Sequence, residues 1–216
     1  MTRFVYLIKK DFEIDWRQQS PFTGIVLFLS STIFTSYMAF GGFISDEVWN
    51  ALFWIILLFT AVNAISKSFS QEERRVHYYF FLCKPSEILL SKLIYSVAYL
   101  LVIAAISFLI YIILLGMPSF DFNLYMINLV LGCIGLSSTF TMISAISMRA
   151  SNRSVLMVIL GFPIVIPVLV LAVSNAKKIV NGFIWIQIQG NVLSLLSVDV
   201  IIIVLSFVLF PFTWRS

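Results

Sequence analysis

Six stretches of about twenty mostly apolar residues, at 22–44, 48–66, 93–115, 124–148, 155–173 and 192–214, limit what this chain can become. An α-helix rises about 1.5 Å per residue, so each stretch matches a hydrocarbon layer of about 30 Å. Lipid offers no partner to a free backbone amide, and a helix satisfies its amides within itself. The expectation is an all-α, polytopic membrane protein with six transmembrane helices in a single domain over residues 1–216. Composition agrees: 61% of the residues are apolar and 11% charged, with a mean hydropathy of +1.03. A soluble domain is nearer half apolar and a quarter charged. A soluble enzyme or nucleic-acid-binding domain is therefore not expected.

Punctuation between the spans is sparse. Ser45, Asp46 and Glu47 alone separate the first two, which predicts a tight hairpin. Gly116 and Pro118 end the third. Gly132, Gly135, Ser137, Ser138 and Thr139 give the fourth a surface that neighbouring helices can approach closely. The opening residues are charged and lack the pattern of a removable signal peptide. Cys83 and Cys133 are too few and too far apart for a disulfide framework or a zinc site.

Basic residues orient the spans, because lysine and arginine are retained on the cytoplasmic side. Arg3, Lys9, Lys10 and Arg17 precede the first span; Lys67, Arg74, Arg75, Lys84 and Lys92 follow the second; Arg149 and Arg153 follow the fourth; Arg215 ends the chain. Twelve of the fourteen basic residues thus fall on one side, against Lys177 and Lys178 on the other. Both termini are expected in the cytoplasm. The net charge of +4 is an orientation signal, and no nucleic-acid partner is expected.

Outside the spans, Phe4, Ile8, Phe12 and Trp16 form an apolar stripe opposite Lys9, Lys10, Glu13 and Arg17. This predicts an amphipathic helix over 1–20 lying in the cytoplasmic interface, with a helix packed on a partner as the alternative. The loop 67–92 carries eight charges, mixes Glu72, Glu73, Arg74 and Arg75 with the aromatic block Tyr78 to Phe81, and restarts a helix at Pro85, Ser86 and Glu87. It reads either as a docking surface for a soluble motor or as a solvated loop with an aromatic belt. His77, in the same loop, is the chain's single histidine. No nucleotide-binding loop, catalytic triad signature or metal motif occurs, so any ATP is expected to be hydrolysed by a separate chain.

Three features lie within the membrane segments. Pro163 and Pro167, four apart in the fifth, remove two backbone donors from one helical face, which suits either a helix beside a path that opens or a static kink. Asp199 is the one acidic residue inside an expected span, placed near its outer end, within reach of water or of Lys177 and Lys178. The stretch 174–191 is amphipathic around Trp185, Gln187 and Gln189 and reads as an interfacial or re-entrant piece.

Phe69 to Glu72 (FSQE), Leu82, Lys84 and Pro85, the run Leu90-Ser91-Lys92, LLGMP at the end of the third span, the stretch from Asn152 through PIVIP, and the closing FPFTWR occur in an order and spacing that resemble the CcmB haem-exporter permeases, within the ABC-2 type of transporter membrane subunit. The likeness runs over nearly the whole chain. It departs where many members have an Asp-Gly turn in the loop, since Glu73 to Tyr78 stand there instead. The resemblance implies a permease subunit in cytochrome c maturation that does no bond chemistry and couples ATP hydrolysis by CcmA-type ATPases to haem delivery or to release of the haem chaperone CcmE. It also implies the membrane proteins CcmC and CcmD as partners, two copies of the chain per transporter, ATP bound only by the ATPase, and haem as a handled ligand and not a cofactor held by this chain. Glu72, Glu73, Arg74, Arg75, Lys84, Pro85, Arg149 and Arg153 are then the expected ATPase-coupling residues, and Pro163 and Pro167 the flexible point. An ABC-2 permease exporting a lipid, glycan or drug is the alternative.

Overall fold

The computed structural model describes residues 20–41, 44–65, 85–147 and 153–215. They form six helices, each long and apolar enough to cross a membrane: α1 (Ser20–Phe40), α2 (Asp46–Ile65), α3 (Pro85–Leu115), α4 (Phe122–Ile146), α5 (Arg153–Val180) and α6 (Trp185–Arg215). The expected interfacial helix falls, apart from Ser20, outside the described residues. So do His77, Cys83 and the expected coupling residues Glu72, Glu73, Arg74, Arg75, Lys84 and Arg149.

Local chemistry explains the helix boundaries. Gly41 and Gly116 adopt φ of +61° and +76°, a backbone that residues with a Cβ rarely take, directly after α1 and α3. Asp46 and Glu47 occupy the first turn of α2, where acidic side chains complement the helix dipole. Asp121 caps α4, its carboxylate accepting hydrogen bonds from the amides of Asn123 at 3.0 Å and Leu124 at 3.2 Å. Gly182, with φ of +79°, turns the chain from α5 into α6.

Two elements differ from expectation. Helix α3 begins at Pro85 and runs unbroken for 31 residues, so residues 85–92 of the expected loop are its first two turns. The stretch 174–191 holds no re-entrant piece: α5 continues to Val180 and α6 starts at Trp185. Asn175 explains the first extension, because its side chain is fully buried in the bundle. Lys177, two residues on, reaches Glu47 of α2 at 3.0 Å. Polar residues that looked like an interruption are side-chain contacts of a continuing helix.

Helix α4 is the axis. It packs against α2, α3, α5 and α6, whereas α1 lies at the periphery on α2 and α3. Contacts fix the arrangement as antiparallel. At one end the starts of α2 and α4 meet the ends of α3 and α5 through Trp49, Gly116, Tyr125 and the Glu47–Lys177 pair. At the other, Ile88 and Leu89 of α3, Ala145 of α4 and Phe210 of α6 share an apolar cluster. An aromatic group of Trp49, Phe53, Phe108, Tyr111, Phe120 and Tyr125 fills the first end, with centroids as close as 4.7 Å for Phe120 and Tyr125. The Trp49 indole donates to the Gly116 carbonyl at 3.0 Å, and the Tyr111 hydroxyl donates to the Trp49 carbonyl at 2.8 Å. Each buried polar edge of these rings so finds an acceptor.

Candidate functional site: a polar seam inside the bundle

Buried positions on α4, α5 and α6 recur at alternating intervals of three and four. On α4 they include Tyr125, Asn128, Gly132, Gly135 and Thr139; on α5, Val168, Ala172, Asn175 and Ile179; on α6, Val192, Leu195, Asp199, Ile202 and Ser206. That interval places each set on one stripe of its helix and lets the three stripes interlock. Small residues bring the backbones close. A Cβ at Gly132 would collide with the Trp54 ring, and one at Gly135 with the Asp199 carboxylate and with Val168.

Polar groups enter the seam at two depths. Nearer the aromatic end, Asn128 donates to the Ala172 carbonyl at 2.9 Å, Asn50 donates to the Val173 carbonyl at 3.3 Å, and the Tyr125 hydroxyl donates to Asn50 Oδ1 at 3.4 Å. These bonds tie α2 and α4 to α5. Both amide atoms of Asn175 are buried with no hydrogen-bond partner among the described residues. One to two turns deeper lies Asp199, 3% exposed, with neither carboxylate oxygen hydrogen-bonded among the described residues.

The depth of Asp199 corrects the expectation that it sits near the outer end, in reach of water, Lys177 or Lys178. Helix α6 begins at Trp185, seven residues before the expected span, which puts about 21 Å of helix ahead of Asp199 and a similar length behind it. Its neighbours Gly135 and Val168 stand at the middle of α4 and α5. Lys177 is engaged with Glu47.

The other expected residues are scattered. Pro85 starts α3 and Arg153 starts α5, at the same end of the bundle. Pro163 and Pro167 lie inside α5 on its outward face, beside the exposed Phe162 and Ile166 and opposite the buried Val165 and Val168. They do not face the seam. Sequence reading missed Asn50, Asn128 and Asn175. Their signal was present: asparagine is costly in an apolar span, and Asn128 shares helical spacing with the glycines 132 and 135. At the aromatic end a cleft of about 470 Å³ opens between Phe120, Asp121, Leu124, Phe183 and Trp185. Among the described residues no three His, Cys, Asp or Glu side chains gather as a metal site would require.

No curated protein and no solved structure matches the chain. A family model described as CcmB protein matches residues 2–215, which takes in all six helices and both ends of the bundle. The match thus covers the all-helical, six-span molecule from end to end, and the chain belongs to the CcmB family, the membrane permease subunits of a haem-exporting ABC system.

Proposed function

We propose that this chain couples ATP hydrolysis by CcmA-type ATPase subunits to haem delivery, or to release of the haem chaperone CcmE, during cytochrome c maturation. The observation that carries the reading is the family match over residues 2–215 on a six-span bundle. Haem is handled as cargo, ATP belongs to the ATPase, and CcmC and CcmD are the membrane partners, with two copies of this chain facing two ATPases. The chain lies in a bacterial inner membrane with both ends in the cytoplasm.

The antiparallel arrangement supports a single docking end. Ile65, Pro85, Ile146 and Arg153 are helix ends at the same pole of the bundle, so the segments that join them in sequence start and finish there. In this reading Glu72, Glu73, Arg74, Arg75 and Lys84 meet the ATPase, Arg149 and Arg153 add a second contact, and Pro85 passes movement directly into the 31-residue α3. Pro163 and Pro167 supply compliance in α5, since each lacks the amide that would bond four residues back.

The test is a covalent-haem stain of membranes from a strain lacking the gene, with and without the gene restored. Loss of all c-type cytochromes with haem accumulating on the chaperone is expected. Normal staining overturns the haem role. Charge reversal at Glu72 and Glu73 is expected to abolish ATPase association, and retained association with full output removes those residues from the interface.

A further inference from the structure

Asp199 is the one buried acidic side chain among the described residues, and neither the family nor the coupling reading gives it a task. Its surroundings are well defined. Helix α4 presents Gly135, whose carbonyl already accepts from the Ser138 hydroxyl at 3.1 Å and the Thr139 hydroxyl at 2.7 Å. Helix α5 presents Val168. The space for the carboxyl exists because position 135 has no Cβ.

Neither carboxylate oxygen has a hydrogen-bond partner among the described residues, and the charged groups of the surrounding helices stand turns away along each helix. On α5 the nearest basic residues in sequence are Arg153, its first residue, and Lys177, nine positions along and paired with Glu47. On α3, which also touches α6, Glu87 and the buried Lys92 lie in the first two turns, beside Ile88, Leu89 and Leu93 of the apolar cluster that α6 joins through Phe210, eleven positions after Asp199. On α6 itself the nearest is Arg215, sixteen positions away. The titratable groups of α4 are Asp121 at its cap, Tyr125 and the buried Cys133 thiol, none of them cationic. On α2, Asp46 and Glu47 stand at the far start of the helix. An ionised carboxylate without a cation or donor is among the costliest groups to hold at mid-membrane.

The geometry points to Asp199 as a proton-binding site that closes the α4–α5–α6 seam: the seam packs around a neutral carboxylic acid, and opening it to water releases the proton. The step balances without another reactant. The carboxyl O–H bond breaks, water takes the proton, and the carboxylate stays hydrated; closure reverses it. Each cycle of seam opening and closing thus moves one proton per chain between Asp199 and water. Lower pH favours the closed seam, and rising pH favours the open one. Neither haem nor ATP enters this argument, so it stands or falls apart from the coupling proposed above.

The test uses the full chain in lipid vesicles. Infrared spectra of wild type and Asp199→Asn at about pH 7 are expected to differ by one carboxylic-acid C=O band that shifts in D2O. Absence of such a band means an ionised Asp199 and overturns the proposal. Should Asp199→Asn fail to accumulate, Asp199→Glu moves the same band and keeps the measurement decisive. Cys133 supplies the second readout, being fully buried on α4 two residues from Gly135. On a Cys83→Ser background its alkylation by N-ethylmaleimide is followed from about pH 6 to about pH 9, and the wild-type rate is divided by the Asp199→Asn rate to cancel thiol chemistry. That ratio is expected near one at the low end and to climb by up to about tenfold per pH unit as the carboxyl ionises. A ratio that stays flat overturns the link between the proton and the seam.

Discussion

A missing Cβ decides the geometry at two points of α4. A methyl group at Gly132 would enter the Trp54 ring, and one at Gly135 would enter Asp199 and Val168. All three neighbours are themselves buried and have nowhere to withdraw. Overpacking of this kind costs typically about 1–3 kcal/mol. Gly132→Ala and Gly135→Ala are therefore expected to lower the thermal unfolding midpoint of the purified protein. Gly161→Ala is the control, because its Cβ would meet only the Ile143 methyl at an ordinary 3.5 Å. There the helix-forming gain of alanine, up to about 1 kcal/mol, is expected to leave the midpoint level or raise it. If all three behave alike, the seam is not close-packed as described. The sequence marked these glycines as places of close approach, because small residues in a span have few other uses. It did not say what approaches. The partner of Gly135 sits 64 positions away, and no local pattern links the two.

Helix α5 carries two proline rings on its outward face while its inner face stays tightly packed. Each ring removes an amide that would have bonded the carbonyl four residues earlier, at Ile159 and at Pro163. A proline in a helix interior costs roughly 3 kcal/mol in water, and less where the surroundings satisfy the freed carbonyl. Replacing both by alanine is expected to stiffen α5, raise its unfolding midpoint and reduce haem output in the restored strain. Unchanged output would make the bend incidental. The Glu47–Lys177 bridge at the end of α5 is different in kind. Its side chains are 62% and 54% exposed, so Lys177→Ala is expected to cost less than about 1 kcal/mol. These positions also explain what the sequence left illegible. Apolar length located all six spans, because the bilayer demands it. It misjudged where α5 ends and α6 begins, because Asn175, Lys177, Lys178 and Gln187 lower the hydropathy in residues that remain helical. Hydropathy reports the average solvent around a segment. It is blind to an asparagine turned into the bundle or a lysine turned toward a neighbouring glutamate. The depth of Asp199 was lost through the same error.

Six antiparallel crossings bring both ends of the bundle's chain to one side of the membrane. Charge carries the expectation of which side, since twelve of the fourteen basic residues fall in sequence before the first helix, between the second and third, between the fourth and fifth, or at their ends on that pole. Of the two at the opposite pole, Lys177 is bridged to Glu47, which leaves Lys178 as the one basic residue there without a described ion pair. Insertion holds arginine and lysine back from translocation, so a cytoplasmic location is the expected outcome for both termini. Reporter fusions test it. Alkaline phosphatase joined at Gly182, in the turn between α5 and α6, is expected to be active, and the same enzyme after Ser216 inactive. A fluorescent protein that matures in the cytoplasm should give the reverse pattern. The inverted result would carry more than a topology correction. It would put residues 67–84, Arg149 and Arg153 outside the cell, where no ATPase can reach them, and remove the physical basis for coupling at that pole. It would leave the buried seam intact, because the α4, α5 and α6 stripes interlock whichever way the bundle faces. Orientation and internal packing are thus separable properties of this fold, one written in charges at the helix ends and the other in the small and polar residues of the seam.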